Sequence, residues 1–220
     1  MGITASTALW YLSRATGVVA LVLLTCVVVL GIMVRRRRAL PGLPRYGTWS
    51  LHRSLSLFAV AFVAVHVISA IADPYVTIGI AAAVLPFTSP YETLWLGLGA
   101  IAIDLVAALV LTSLLRARIG RRTWRAVHWV SYAAWPVALA HSFGSSSDLQ
   151  HGWLLWLGIC CAAAVLAAGA WRLTSAMTSR RSAVPGGAQY AGSGAVSRSH
   201  RGNSEVAQIP AGTAAAMLKE

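Results

Sequence analysis

Four of the six histidines in this 220-residue chain lie in long apolar runs or at their edges. An ionisable side chain is costly there and is usually kept for a function. His52 and His66 are 14 residues apart in LHRSLSLFAVAFVAVH, and His128 and His141 are 13 apart in VHWVSYAAWPVALAH. At a rise of about 1.5 Å per residue, the members of each pair stand roughly 20 Å apart along one helix. Ligands so far apart cannot close on a single structural zinc ion. Taken across two helices they can do something else. His52 with His128, and His66 with His141, give two imidazole pairs at two depths, and each pair can supply both axial ligands of one heme iron. The bland reading is of scattered polar residues bonded to neighbouring helices, and the two-by-two arrangement argues against it.

That pairing requires two parallel helices, and the apolar pattern supplies them. A spanning helix takes about 20 mostly apolar residues. Five stretches qualify, at about 9–34, 51–71, 93–115, 124–143 and 153–173. The expected fold is all-α, an integral membrane bundle of five transmembrane helices. Arg35, Arg36, Arg37, Arg38 and Arg45 fill the first connection, Arg116, Arg118, Arg121 and Arg122 the third, and Arg180 and Arg181 follow the fifth helix. The second and fourth connections carry Asp73, Glu92 and Asp148 with no Lys or Arg. The positive-inside rule then puts the N-terminus outside and the C-terminus in the cytoplasm, so the second and fourth helices run parallel. Trp10, Trp49, Trp95, Trp124 and Trp153 near the helix ends fit an aromatic belt. The apolar segment 74–90, bracketed by prolines, is too short to span and reads as interfacial or re-entrant. Helical phase adds one demand. Fourteen residues are about 3.9 turns and keep His52 and His66 on one face, whereas 13 are about 3.6 turns and set His128 and His141 out of phase. Pro136 between them offers a kink that would change the winding.

Composition agrees with a membrane protein. The chain is 57% hydrophobic and 11% charged, against about 25% charged in soluble domains. The net charge of +12 sits in blocks between apolar runs, without the basic-aromatic stripe of a nucleic-acid surface. Cys26, Cys160 and Cys161 lie in apolar runs, show no metal or disulfide spacing, and read as small buried residues. The N-terminus does not read as a signal peptide, since Arg14 follows Trp10 and Tyr11 and the apolar run beyond is too long. Residues 1–179 are expected to form one domain. Residues 180–220, rich in Gly, Ala and Ser, are expected to form a disordered cytoplasmic tail.

Other polar residues have two readings each. Asp104, mid-way along the third span, is a proton relay or polar contact near a cofactor, or a neutral acid bonded to a neighbouring hydroxyl. Arg53 beside His52, and Arg125 one turn before His128, can pair with inner propionates, or act as positive-inside charges. Arg14, the basic residue of the outer half, can face outer propionates or an anionic headgroup. His151 reads as a solvated loop residue, and His200 in the tail has no assignment.

These segments resemble the ferric reductase-like transmembrane domain, the family of the membrane parts of ferric reductases and NADPH oxidases and of the heme subunit of bacterial methionine sulfoxide reductase systems. The two histidine segments carry the resemblance, and SRATGVVAL and SPYETLWLGLGAIAIDL look like small bacterial members. It covers about Trp10 to Leu173. The resemblance implies a diheme b-type cytochrome moving electrons across a membrane, expected to be a bacterial plasma membrane. It implies an inner heme on His52 and His128 and an outer heme on His66 and His141. The 40-residue polar tail shows no glycine-rich dinucleotide unit and no room for a flavin domain, and the family's usual sixth helix is missing from the count. A separate donor, either a flavoprotein or a quinol, and an external acceptor are therefore expected. The competing expectation is a heme-free multi-pass accessory or transporter-like scaffold protein.

Overall fold

A chain in hydrocarbon has to satisfy its backbone polar groups internally, and a helix does so within one segment. The computed structural model describes residues 2–35, 44–74, 78–145 and 151–181. These form seven helices and no strand: α1 (Gly2–Arg35), α2 (Arg45–Ala72), α3 (Ile80–Val84), α4 (Thr93–Leu114), α5 (Arg116–His128), α6 (Ser131–Ser145) and α7 (Gly152–Arg181). Four of them are long and apolar enough to cross a membrane, over Ser6–Val34, Tyr46–Ala72, Thr93–Leu114 and Gly152–Ser175. Hydroxyls inside these helices bond back to the carbonyl one turn earlier, as Thr25 does to Leu21 at 2.8 Å and Ser69 to Val65 at 2.7 Å. Such bonds let Ser and Thr sit in an apolar setting without a free donor.

Packing follows from small residues. Ala20, Ala59, Ala100, Ala102 and Ala134 are buried, while Leu57, Phe58, Ile68, Leu111 and Leu166 lie on the outside. Membrane bundles have this composition, because close backbone approach holds helices together where lipid is as apolar as Leu. α1 packs along α2, α4 packs along α6, and α1 joins the two pairs through α6. At that junction the buried Trp135 Nε1 donates to Thr25 Oγ1 at 2.9 Å. The segment between α2 and α4 contributes α3, which lies on α4. Phe87 there occupies the space where a Gly97 side chain would stand. α7 meets α6 through Arg172, whose Nη1 donates to the Tyr132 hydroxyl at 2.8 Å and whose guanidinium lies 5.0 Å from the Trp129 ring.

The fourth expected span, 124–143, is not one helix. Its first part belongs to α5 and the rest to α6, with a turn at Trp129 and Val130. Val130 N–H bonds to Val127 O at 2.8 Å, Tyr132 N–H to Trp129 O at 3.1 Å and Ala133 N–H to Val130 O at 2.9 Å. These are i to i−3 bonds of a tightened turn. The winding therefore changes before Pro136, which lies inside α6 with no N–H to give to Tyr132. At Gly120 the backbone takes φ 75° and ψ 161°, a conformation open to glycine, and α5 bends there as it leaves α4.

Contacts divide the chain after Ser179, into residues 1–179 and 180–220. The expectations for the tail, His200, the arginines at 36–38 and Asp148 concern residues outside those described.

Candidate functional site

The outer histidines meet. The His66 and His141 rings are 6.3 Å apart between centroids, at 68° to each other. Each is oriented by a backbone carbonyl of a different helix. His66 Nδ1 donates to Ser13 O at 2.7 Å, and His141 Nδ1 donates to Trp95 O at 2.8 Å. A carbonyl can only accept, so in both rings the proton is assigned to Nδ1, and Nε2 keeps its lone pair. This is the arrangement of metal-ligating histidines, whose second nitrogen is held by a carbonyl or carboxylate. An imidazole nitrogen binds a first-row metal at about 2 Å, so two rings on opposite sides of one metal have centroids about 6 Å apart. The outer pair has that spacing.

Glycine makes the room. A Cβ on Gly17 would lie 2.9 Å from His66 Nδ1, and one on Gly99 would lie 2.8 Å from His141 Nδ1. Only a residue without a side chain lets α1 and α4 approach these rings so closely. Around the pair lies a cavity of about 790 Å³, walled mostly by apolar side chains of α1, α2, α4 and α6, with Arg14, Asp73 and Tyr91 among its polar residues. That volume falls within the range of about 300–1,000 Å³ typical of cofactor sites.

His52 and His128 lie within electrostatic range of each other, without the ring contact that His66 and His141 make. Gly31 faces His52, with a Cβ position 3.4 Å from Cε1. His128 ends α5 and stacks on Trp124 at 4.9 Å and 22°. The support differs from that of the outer pair. Nδ1 of His52 and Nδ1 of His128 are buried without a hydrogen-bond partner among the described residues. The Val27 carbonyl lies toward His52 without closing a hydrogen bond to Nδ1. With His66 against His141 and His52 toward His128, the stretch from His128 at the end of α5 to His141 in α6 runs in the same direction as α2. Gly17 against His66 and Gly31 against His52 make α1 antiparallel to α2.

The remaining candidates fall in different places. Arg14 is half-buried on the cavity wall, its guanidinium 4.3 Å from the Trp10 ring centroid. Arg53 and Arg125 are exposed. Asp104 is exposed too, makes no hydrogen bond among the described residues, and is absent from the cavity wall although Ile103 and Ala102 line it. Asp104 thus stands outside the cavity around His66 and His141, and the expected bond to a neighbouring hydroxyl is not made among the described residues. His151 is exposed beside α7. Of the cysteines, Cys161 is buried as expected, but Cys26 and Cys160 face outward. Among the described residues no group of three or more His, Cys, Asp or Glu side chains gathers to hold a bare ion.

Sequence reading did not identify the glycines. The signal was present, because Gly17 and Gly31 repeat the 14-residue spacing of His52 and His66 on the antiparallel neighbour. The carbonyls of Ser13 and Trp95 leave no signal, since every residue has one.

No curated protein and no solved structure matches the chain. A family model, the ferric reductase like transmembrane component, matches residues 16–139, more than half of the chain. The matched stretch holds Gly17, Gly31, His52, His66, Gly99 and His128 and ends two residues before His141. The chain is thus a multi-pass membrane protein belonging to the ferric reductase-like transmembrane family.

Proposed function

We propose that this protein is a diheme b-type membrane cytochrome that carries electrons across the bilayer to an external acceptor, as a subunit of a reductase system. The observation that carries this reading is the outer pair: two imidazoles 6.3 Å apart, both fixed by carbonyls at Nδ1. With Nε2 left free on both rings, His66 and His141 would be able to hold a heme iron. His66 and His141 hold the outer heme, and His52 and His128 the inner one. The iron supplies reversible one-electron transfer when heme is bound. The chain's own residues do the rest. Ser13 and Trp95 set the tautomer and angle of the outer rings. Gly17, Gly31 and Gly99 admit the rings between helices. The apolar cavity wall excludes water. Arg14 neutralises outer propionates, and Arg53, next to His52, serves the inner ones. Residues 1–179 form this domain, with 180–220 as a cytoplasmic tail.

In this reading α6 and the end of α5 from Trp124 complete a fifth crossing, with residues 116–122 at its cytoplasmic edge, so that the N-terminus is outside and the C-terminus inside a bacterial plasma membrane. Electrons enter at the inner pair from a separate flavoprotein or quinol and leave from the outer pair. Oriented vesicles test it. An impermeant acceptor should be reduced only on the face bearing residues 74–90, and His66→Ala should abolish that reduction while the inner heme stays reducible. Reduction confined to the arginine-rich face would refute the cross-membrane route. Protein that shows no reducible b-type absorbance after reconstitution would support the heme-free scaffold instead.

A further inference from the structure

α5 is the most strongly charged element of the described chain. Arg118, Arg121, Arg122 and Arg125 are all exposed, and no ion pair or hydrogen bond engages them among the described residues. No acidic residue lies anywhere in the helix. Its other side is apolar or aromatic and half-buried, with Ile119, Trp124 and Val127. After Gly120, Arg121, Arg122 and Arg125 fall within about one third of the helix circumference; Trp124 and Val127 fall on the adjoining third, and His128 lies at the border between the two, about 20° from Arg121.

The position of this helix is fixed by its neighbours. One residue, Leu115, separates it from the spanning helix α4, and a two-residue turn separates it from α6. A basic amphipathic helix between two crossings, as the fifth crossing proposed above requires, sits at headgroup depth. Guanidinium groups there meet phosphate before any soluble partner does, and their planar donor set suits phosphate oxygens. Arg116 has a different role. Its guanidinium sits 5.0 Å from the Trp124 ring centroid, and Trp124 stacks on His128.

We propose that the Arg118, Arg121, Arg122 and Arg125 face of α5 binds the phosphates of anionic lipid headgroups, and that this lipid anchors the segment that presents His128. The proposal rests on the reading above, in which the arginine-bearing part of α5 stands at the cytoplasmic edge of the fifth crossing. Each arginine near an anionic surface contributes about fivefold to binding.

The test compares the purified full chain in nanodiscs of phosphatidylcholine with nanodiscs containing phosphatidylglycerol. Native mass spectrometry should find phosphatidylglycerol retained in preference to phosphatidylcholine. Retention should fall about 100-fold when Arg121, Arg122 and Arg125 are all changed to Gln. Amide exchange over residues 121–128 should be slower in the anionic discs, and the triple variant should lose that difference while exchange in α2 and α4 stays unchanged. Equal retention of the two lipids, or a difference that survives the substitutions, would overturn the proposal. So would protection that appears only when a soluble polyglutamate peptide is added to phosphatidylcholine discs, since that outcome assigns the face to an acidic protein. Both readouts work with or without heme. A missing heme absorbance with lipid dependence intact would refute the cytochrome reading alone, and the converse would refute the lipid site alone.

Discussion

At the scale of single residues, the site depends on what is absent at two positions as much as on four imidazoles. Gly17 and Gly99 stand against rings that are pinned by carbonyls and cannot retreat without losing a hydrogen bond. Gly17→Ala and Gly99→Ala should each remove most of the outer heme, read as the loss of half the reduced absorbance. Gly31→Ala meets His52 at ordinary van der Waals distance, and His52 has no hydrogen bond to lose at Nδ1. It should leave the inner heme in place. Asp104→Leu tests the placement of that carboxylate: heme content should be unchanged, and membrane insertion should improve, since Asp at a helix centre costs about 2.5–3.5 kcal/mol. A spectral change in this variant would return Asp104 to the site. The four histidines were legible in the sequence because ionisable residues stand out against apolar runs. Asp104 stood out for the same reason, and its direction was not legible. A residue near the middle of α4 can face any way, and only the packing of α3 and α6 on that helix decides.

At the scale of elements, α1, α2, α4 and α7 were legible from length and hydropathy alone, because the bilayer demands about 20 apolar residues and little else. The α5–α6 break was not. An apolar run records burial and carries little information about winding, and the tightened turn at Trp129 and Val130 lies within such a run. The out-of-phase spacing of His128 and His141 was the one sign of it. A tighter turn adds rotation per residue and brings the two histidines toward one face. Pro136→Ala gives the Tyr132 carbonyl a donor and favours a continuous α-helix there. The expected result is weaker inner heme binding with the outer heme retained, because His141 is still held by Trp95. The two sites should also differ in the unmodified protein. A carbonyl or carboxylate on the second ring nitrogen is worth about 10–100-fold in metal affinity, and among the described residues only the outer pair has one at Nδ1. In a competition with apomyoglobin the heme lost first should be the one that His52→Ala removes.

At the scale of the whole molecule, two helix pairs are joined by α1 and α6, and the histidine pairs lie at two levels between them. Levels about 20 Å apart along α2 suit passage of electrons from one side of the bilayer toward the other. Family membership and multi-pass topology are consistent with that role, and the histidine geometry supports it independently of either. The most direct measurement is heme stoichiometry, with spectra, for the purified chain and its four single His→Ala variants. Two hemes per chain are expected in the unmodified protein and one in each variant. His66→Ala and His141→Ala should share one residual spectrum, and His52→Ala and His128→Ala should share the other. A wild-type protein without heme, or a common residual spectrum for His52→Ala and His141→Ala, would contradict the diheme reading.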